Sequence, residues 1–333
     1  MDCAHPYLVG LVGAGVLPSL TPPLHMAEAR ALGIDYVYRP IDITALGIAP
    51  ERIGEVLGWA EALGFDALNI THPCKQLVLA HLDHIDPLAA ALGAVNTVVL
   101  GAGRAGYNTD TTGFEAAFRD GLPGAPTGDV VLMGAGGAGA AVADALLRIG
   151  VDRLRVVDLD SGRAGKLAAD LAARHRREVA AGALADLPEA LSTADGVVHC
   201  TPTGMREHPG IPFDPALLRE DLWVADIVYR PLETALLRAA RARGCRTLDG
   251  GRMAVFQAVD AFELITGVRP DTGRMTAHFH RLTTPQPTLI GEEQPACLTP
   301  QWRGRHPSGP PQPVSWEAPS SITTSSSSAR PPR

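Results

Sequence analysis

The sequence predicts an α/β protein made of two domains, each built around a mostly parallel sheet. Apolar, strand-like runs alternate with helix-like stretches over the first 282 residues, a pattern typical of parallel sheets covered by helices. A glycine-rich segment directly follows one of these runs near the middle of the chain. The length of 333 residues also favours two domains, since one domain usually takes about 150 residues.

The strand and helix patterns divide the chain into two α/β blocks. In the first block we expect strands at 7–12, 36–39 and 67–70, helices at 24–32 and 53–63, and a hairpin formed by 95–100 and 106–107. In the second block, after Gly113, we expect a helix at 138–149 and strands at 130–133, 154–158, 196–200, 223–227 and 246–248. The second block therefore has the β-α-β order of a doubly wound parallel sheet.

The composition changes near Thr283. From residue 283 to residue 333, Pro, Ser, Thr and Gln dominate, and four serines follow one another at 325–328. Such a segment cannot bury enough apolar surface to offset the entropy lost on ordering. We therefore expect residues 283–333 to form a disordered tail.

Composition and charge exclude several classes of function. Hydrophobic residues make up 46% of the chain, yet there is no apolar run of the roughly 18 residues that a membrane-spanning helix needs. The net charge of −7 argues against nucleic acid as a partner, because binding phosphates requires a basic surface. The five cysteines form no Cys-x-x-Cys pair, so neither a disulfide framework nor a metal site is expected. We expect a cytoplasmic protein without a membrane partner.

The glycine-rich segment carries the most informative local motif. It reads Gly-x-Gly-x-x-Gly, directly after the apolar run 130–133 and directly before a helix-like stretch. Gly134 permits a tight turn, Gly136 lets a pyrophosphate approach the main chain, and Gly139 lets the helix pack on the strand. The free N–H groups of the helix N-terminus favour phosphate binding. The pattern thus predicts a Rossmann-type dinucleotide site. Its loop comprises Gly134, Ala135, Gly136, Gly137, Ala138 and Gly139.

Asp158 ends the next predicted strand, about 20 residues after the glycines. A carboxylate at this position accepts hydrogen bonds from the ribose hydroxyls of NAD, and it would repel the 2′-phosphate of NADP. Arg163 follows shortly afterwards and is a cation within reach of such a phosphate. We expect Asp158 to dominate. The sequence therefore predicts NAD as the cofactor, with NADP as the less favoured alternative.

Four polar motifs precede the glycine-rich segment, and each is too polar for a core but suits a pocket. They are Ser-Leu-Thr-Pro at 19–22, Asn-Ile-Thr-His-Pro-Cys-Lys at 69–75, Gly-Ala-Val-Asn-Thr at 93–97 and Gly-Tyr-Asn-Thr-Asp-Thr-Thr-Gly at 106–113. Taken alone, the first has an ordinary structural explanation, because Ser, Thr and Pro are common where helices begin.

Together with the glycine-rich loop, these motifs resemble the shikimate dehydrogenase family, in which they occur in the same order. The resemblance continues through 201–205, 226–229 and 250–253 to Gln257, and it covers about residues 9–282. It implies a substrate domain over 1–112, completed by C-terminal helices at 251–282, and a dinucleotide-binding domain over 113–250. It also implies a small ring acid as partner, with the oligomeric state open between monomer and homodimer.

The resemblance implies a role for each matching residue. Lys75 and Asp110 would be the catalytic pair. Ser19 and Thr21 would hold the substrate carboxylate, and Tyr229 would lie beside this carboxylate and the nicotinamide. The ring hydroxyls would be bound by Thr71, Asn96 and Gln257. Beyond the glycine loop, the cofactor contacts would come from Asp158, Arg163, Thr201, Val228, Gly250 and Met253.

The reaction requires a proton transfer that Lys75 and Asp110 could perform. Oxidising a secondary alcohol to a ketone removes a hydride from carbon and a proton from oxygen, so a group within hydrogen-bond reach must take the proton. A Lys ammonium can also stabilise a developing alkoxide. We expect the two groups to titrate as a coupled pair, with the proton assigned to neither alone. The alternative for both residues is a surface ion pair.

Three details distinguish members of this family. Asp158 and Asp160 stand where NADP-linked enzymes typically carry Asn-Arg-[Ser/Thr], Thr21 replaces the second serine of Ser-x-Ser, and 208–210 with 229–234 resemble NAD-linked quinate/shikimate dehydrogenases. We therefore expect NAD-dependent oxidation of quinate and/or shikimate to 3-dehydroquinate or 3-dehydroshikimate. The alternatives are an NADP-dependent biosynthetic shikimate dehydrogenase, an aminoshikimate or aminoquinate dehydrogenase and, more remotely, a non-catalytic sensor of a ring acid or dinucleotide.

Overall fold

Two six-stranded sheets organise the computed structural model, which describes residues 5–284. The strands of the first sheet are β1 (Tyr7–Gly13), β2 (Tyr36–Asp42), β3 (Ala67–Ile70), β4 (His84–Ile85), β5 (Thr97–Val99) and β6 (Ala105–Tyr107). The strands of the second sheet are β7 (Asp129–Met133), β8 (Arg153–Val157), β9 (Glu178–Gly182), β10 (Gly196–His199), β11 (Trp223–Asp226) and β12 (Thr247–Asp249).

Eleven α-helices surround the sheets within this described part of the chain. In the first half they are α1 (Thr21–Leu32), α2 (Ile53–Ala62), α3 (Cys74–Leu77), α4 (Pro87–Leu92) and α5 (Asp110–Gly121). In the second half they are α6 (Gly137–Ile149), α7 (Ser161–His175), α8 (Leu187–Thr193), α9 (Ala235–Ala242), α10 (Gly250–Thr266) and α11 (Thr272–Thr283).

The second sheet is parallel throughout, as the sequence pattern predicted. Its order is β12-β11-β10-β7-β8-β9. The chain therefore builds outward from β7 in one direction and then returns to the other side of β7. Such a reversal leaves a crevice at the carboxyl ends of β7 and β10, which is where ligands bind in sheets of this kind. The glycine-rich loop follows β7 and thus lies at this crevice.

The first sheet is mixed, so the expectation of a parallel sheet is wrong for part of it. Its order is β2-β1-β3-β5-β6-β4. β1 runs parallel to β2 and β3, whereas β5 is antiparallel to β3 and to β6. The predicted hairpin over 95–100 and 106–107 is confirmed and explains the change, because two strands joined by a short turn must be antiparallel.

The long helices α5 and α10 pack against each other. Gly113 of α5 faces Gln257 of α10 so closely that a Cβ on Gly113 would lie 2.8 Å from the Gln257 backbone nitrogen. The domain boundary expected at residue 112 falls inside α5. α10 and α11 also pack on α1, through a buried cluster that includes Leu24, Val259 and Phe279. The C-terminal helices thus pack against the first block, and the proposed domain limits stay a prediction.

None of the helices between residues 5 and 284 has the length and apolar composition needed to cross a membrane.

The expected Pro- and Ser-rich tail over 283–333 falls mostly on residues that are not described. Thr283 is the last residue of α11, and residues 285–333 lie outside the described part of the chain.

Candidate active site

Lys75 and Asp110 meet where two helices begin. Lys75 lies in α3, shortly after β3, and Asp110 is the first residue of α5. Lys75 Nζ donates a hydrogen bond to Asp110 Oδ2 at 2.5 Å. The exposed fractions of the two side chains are 19% and 9%, so the pair is not an ordinary surface ion pair.

Asn96 holds the other oxygen of the same carboxylate. Its Nδ2 lies 3.0 Å from Asp110 Oδ1 and 2.9 Å from Thr109 Oγ1, while its Oδ1 accepts the Thr109 backbone N–H at 2.9 Å. Asn96 is 4% exposed. Three predicted site residues are thus joined at one point, with both hydrogens of the Asn96 amide engaged within the protein. The ring-hydroxyl role of Asn96 stays a prediction.

Ser19, Thr21 and Tyr229 also come together, although they belong to different halves of the chain. Burial raises the pKa of the Tyr229 phenol, and the charge of Arg230 and a hydrogen bond to Ser19 oppose this rise. The Thr21 backbone N–H donates to Ser19 Oγ at 3.3 Å. Arg230 donates to the backbone carbonyl of Pro18. The loop after β11 therefore contacts the segment before α1 at the predicted carboxylate site.

Thr71 and Gln257 lie on the segments that frame Lys75 and Asp110. The Thr71 backbone N–H donates to the carbonyl of Val12, and its own carbonyl accepts the N–H of Cys74 at the start of α3. Gln257 lies on α10, and its Nε2 donates to the Ala254 carbonyl at 3.0 Å. Their contacts with a ring acid stay predictions.

The glycine-rich loop has the shape that a dinucleotide requires. A Cβ on Gly139 would lie 1.8 Å from the carbonyl oxygen of Gly134, so only glycine lets α6 begin this close to β7. A Cβ on Gly136 or Gly137 would meet nothing within 4 Å, which leaves open space at the N-terminus of α6. This space, together with the free N–H groups there, fits a pyrophosphate. Ala135 is 7% exposed and adjoins this space.

Asp158 follows β8 and turns toward the glycine loop. Its Oδ2 accepts the Ala135 N–H at 2.6 Å, and its Oδ1 accepts the Asp160 N–H at 2.9 Å and Arg163 Nη2 at 2.6 Å. Burial raises the pKa of Asp158, but these three donors outweigh it, so its pKa lies below the ordinary value. Asp158 is therefore a carboxylate beside the loop, accompanied by the half-exposed guanidinium of Arg163.

His199 is a residue of this region that the sequence did not reveal. It is fully buried at the end of β10. Its Nε2 lies 2.5 Å from Thr201 Oγ1, and its Nδ1 lies 3.0 Å from Asp226 Oδ1. Asp226 Oδ1 also accepts the Val228 N–H at 3.1 Å. The His199–Asp226 pair thus ties together the loops that carry Thr201 and Val228, two predicted cofactor contacts.

The remaining predicted cofactor residues differ in their surroundings. Gly250 begins α10, and a Cβ there would lie 2.2 Å from the Ile227 carbonyl oxygen. Met253 is 8% exposed and belongs to the hydrophobic core between the second sheet and its helices.

The Thr111 hydroxyl donates to the Ala141 carbonyl at 3.2 Å. This contact joins α5 to α6 and so brings Asp110 and the glycine loop to one crevice.

Comparison with known proteins agrees with this geometry. Residues 11–98 match a family model described as the shikimate dehydrogenase substrate binding domain. The chain is 57% identical over 278 residues to a shikimate dehydrogenase (NADP(+)) from Pseudarthrobacter chlorophenolicus, covering 83% of this chain and 95% of the relative. The chain belongs to the shikimate dehydrogenase family. The resemblance read from the motifs is thereby confirmed.

Other members of the shikimate dehydrogenase family differ in their named cofactor. A quinate/shikimate dehydrogenase (NAD(+)) from Corynebacterium efficiens is 50% identical over 275 residues, covering 82% of this chain and 97% of the relative. The solved structure of quinate dehydrogenase from Corynebacterium glutamicum in complex with NAD is 48% identical and has a TM-score of 0.78, covering 83% of this chain and 99% of that chain. Membership of this family makes the chain an oxidoreductase that uses a nicotinamide dinucleotide. The names of its relatives include both NAD(+) and NADP(+) enzymes, so they do not distinguish the two cofactors.

Proposed function

We propose that this chain catalyses the NAD-dependent oxidation of quinate and/or shikimate at a ring hydroxyl, giving 3-dehydroquinate or 3-dehydroshikimate. The observation that carries the proposal is the Lys75–Asp110 pair, which is shielded from water and lies at the crevice of the glycine loop. The names of relatives support both ring acids, since one is a quinate/shikimate dehydrogenase and another a shikimate dehydrogenase.

Lys75 and Asp110 supply the proton transfer in this proposal. Bound NAD supplies the acceptor for the hydride that leaves the ring carbon. The pair takes the proton of the ring hydroxyl as the C–O bond becomes a carbonyl, and it returns this proton in the reverse direction. The Lys75 ammonium stabilises the negative charge that develops on the ring oxygen.

The amino-acid composition also supports a special role for Lys75. Of the 29 Lys and Arg residues in the chain, only Lys75 and Lys166 are lysines. Arginine carries the same charge but holds its proton too firmly to exchange it. Where most basic positions are arginine, a lysine kept in a shielded pocket is consistent with a group that must exchange a proton.

The charges around Asp158 support NAD as the cofactor. Its Oδ2 accepts only one hydrogen bond within the described residues, from Ala135, so it retains acceptor capacity for a ribose hydroxyl. Its negative charge, together with that of Asp160, opposes a 2′-phosphate.

A second candidate is the NADP-linked reaction, because two observations favour it. The Arg163 side chain is 52% exposed beside Asp158, and several relatives with 56–59% identity are named NADP(+) enzymes. Arginine binds phosphate well when it is free to turn toward it.

The test is a four-way measurement of initial rates with quinate or shikimate and with NAD or NADP, using the purified full chain. We expect kcat/KM with NAD to exceed that with NADP by at least about tenfold for one or both acids, since one charged hydrogen bond has this effect. Faster turnover with NADP would overturn the cofactor assignment. Turnover of neither acid, with ligand affinity retained after Lys75→Ala, would overturn the reaction and favour a sensor.

A further inference from the structure

A row of buried hydrogen bonds leads from the Tyr38 hydroxyl to the Asp110 carboxylate, and we call it the Tyr38–Asp110 chain. Tyr38 Oη lies 2.5 Å from Asn69 Oδ1, and Asn69 Nδ2 lies 2.9 Å from Thr97 Oγ1. Thr97 Oγ1 lies 3.1 Å from Asn96 Oδ1, and Asn96 Nδ2 lies 3.0 Å from Asp110 Oδ1. Each of the five residues is 6% exposed or less, so water does not compete for these bonds.

Backbone groups fix the orientation of the Asn96 amide. The Thr109 backbone N–H lies 2.9 Å from one terminal atom of this amide. Because a backbone N–H can only donate, that atom must be the oxygen. The Asn96 atom that faces Asp110 is therefore the nitrogen, which can only donate. Asp110 Oδ1 is consequently an acceptor toward Asn96.

A backbone group orients Asn69 in the same way. The carbonyl oxygen of Asn96 lies 3.4 Å from the Asn69 atom that also faces Thr97. Because a carbonyl can only accept, this atom is the nitrogen. Thr97 must then accept from Asn69 and donate to the Asn96 oxygen, and Tyr38 must donate to the Asn69 oxygen. Every donor in the chain thus points toward Asp110.

We propose that Tyr38, Asn69 and Thr97 are positioning residues for the acid/base pair of the proposed reaction. Hydrogen bonds that all run in one direction strengthen one another. The chain therefore stabilises the carboxylate form of Asp110 and keeps Oδ1 occupied by a donor. The reacting proton is confined to the other side of the carboxylate, between Oδ2 and Lys75 Nζ. This inference rests on the proposed function of Lys75 and Asp110.

The titratable groups around the Tyr38–Asp110 chain preserve the direction of its hydrogen bonds across the working pH range. Burial raises the pKa of Tyr38 well above its ordinary value, so its hydroxyl remains a donor. Behind it, burial also raises the pKa of Tyr36 and lowers that of His25 to about 3, so both stay neutral. On the α10 side, Asp260 accepts the Thr112 hydroxyl of α5 at 2.6 Å. Lys75 is therefore the charged group that contacts Asp110 directly.

Two variants break the chain without touching Lys75 or Asp110, and two others serve as controls. Tyr38→Phe removes the first donor, and Thr97→Val removes a central link at nearly constant volume. Tyr36→Phe is the matched control, because Tyr36 lies on the same strand and donates or accepts only toward His25 among the described residues. Thr97→Ser keeps the hydroxyl and is expected to restore the link.

Because the protein has only two lysines, a direct measurement is possible that does not require turnover. Protein labelled with ¹³C at lysine Cε gives side-chain signals from Lys75 and Lys166 alone, and Lys166→Arg assigns them. Lys75 contacts Asp110, so its signal reports protonation of that carboxyl as an inflection on the acid side. In Tyr38→Phe and Thr97→Val we expect this inflection to move up by roughly 0.3–1 pH unit, the size expected for one weakened hydrogen bond.

Kinetics provides the second readout. We expect the acid limb of the kcat profile to move up with the nuclear magnetic resonance inflection in Tyr38→Phe and Thr97→Val. The KM for the dinucleotide is expected to stay as in the parent, and Thr97→Ser is expected to follow the parent. If Tyr38→Phe and Thr97→Val match Tyr36→Phe in both readouts, the chain is only structural and the inference fails. If the parent turns over neither acid, the proposed function fails, and the Lys75 signal still decides whether the chain acts on Asp110.

Discussion

Asp158 Oδ1 accepts a hydrogen bond from Arg163 Nη2 at 2.6 Å, so an anion and a cation lie side by side beside the glycine loop. Each of them favours a different cofactor. The carboxylate suits the free ribose hydroxyl of NAD, and the guanidinium suits the 2′-phosphate of NADP. We therefore expect the relative strength of these two contacts to set the cofactor preference.

Replacing Asp158 is expected to weaken the preference for NAD. Asp158→Asn keeps the size and one acceptor but removes the charge that repels a phosphate. We expect the ratio of kcat/KM with NAD to that with NADP to fall by about tenfold or more, because charged hydrogen bonds contribute about 1.5–3 kcal/mol. Asp170→Asn is the control, since Asp170 is an exposed carboxylate farther along the same helix α7. An unchanged ratio in Asp158→Asn would mean that this carboxylate does not contact the ribose.

Replacing Arg163 is expected to act in the opposite direction. Arg163→Met removes the guanidinium but keeps a flexible side chain of similar length. We expect kcat/KM with NADP to fall more than that with NAD, because only the phosphate needs the cation. Initial rates with both cofactors measure this. Equal losses with both would show that Arg163 acts only by holding Asp158 in place.

Two glycines of the loop are expected to respond differently to alanine. A methyl group on Gly139 would collide with the Gly134 carbonyl, so Gly139→Ala should lower the free energy of unfolding by about 1–3 kcal/mol. A methyl group on Gly136 has open space, so Gly136→Ala should fold normally but bind NAD at least about tenfold more weakly. Urea unfolding and calorimetric titration with NAD separate the two effects. Gly165→Ala in α7 is the control, and parent-like binding by Gly136→Ala would exclude a pyrophosphate at this point.

The pair Lys75 and Asp110 is expected to be required for the chemical step. Lys75→Met and Asp110→Asn should each lower kcat by about 10²–10⁴-fold, the usual contribution of a positioned acid or base. Lys75→Arg should also be impaired, because a guanidinium does not release its proton near neutral pH. The exposed Lys166 supplies the control variant Lys166→Met. Near-normal kcat in Lys75→Met, with binding of both ligands intact, would contradict the acid/base role.

His25 is expected to make the stability of the protein depend on pH. Burial lowers the pKa of His25 from 6.5 to about 3, and its Nε2 has no hydrogen-bond partner within residues 5–284. The unfolded chain therefore binds a proton between pH 6.5 and 3 that the folded chain does not, so stability is full above pH 6.5 and declines as the pH falls. Linkage gives a loss of about 2 kcal/mol between pH 7 and pH 5 from this group.

Urea unfolding of the parent and of His25→Leu at pH 7 and pH 5 measures this contribution. The variant is expected to lose less stability than the parent over this interval, whatever its stability at pH 7. Equal losses in both proteins would show that His25 titrates normally in the folded state.

Much of the candidate site follows from short stretches of sequence. The glycine loop is a local structure, since its strand, turn and helix are neighbours in the chain. The spacing of its glycines therefore indicates where the backbone of the turn and the helix come close together. Lys75 and Asp110 could be predicted for another reason, because each lies in a polar motif at the end of an apolar run. By contrast, nothing around Tyr38 or His199 predicts a polar partner. Their partners Asn69 and Asp226 lie 31 and 27 positions away in the chain.

The sequence by itself determined the α/β class and the glycine loop, and it predicted Lys75 and Asp110 as the acid/base pair, because these depend on residue type and on spacing within a few turns of chain. Only the tertiary structure decided that β5 lies antiparallel to β3, that Arg163 pairs with Asp158, and that hydrogen bonds run in one direction from Tyr38 to Asp110. Hydrogen-bond direction depends on which backbone N–H or carbonyl faces each amide. That relation exists only after strands distant in sequence have taken their register.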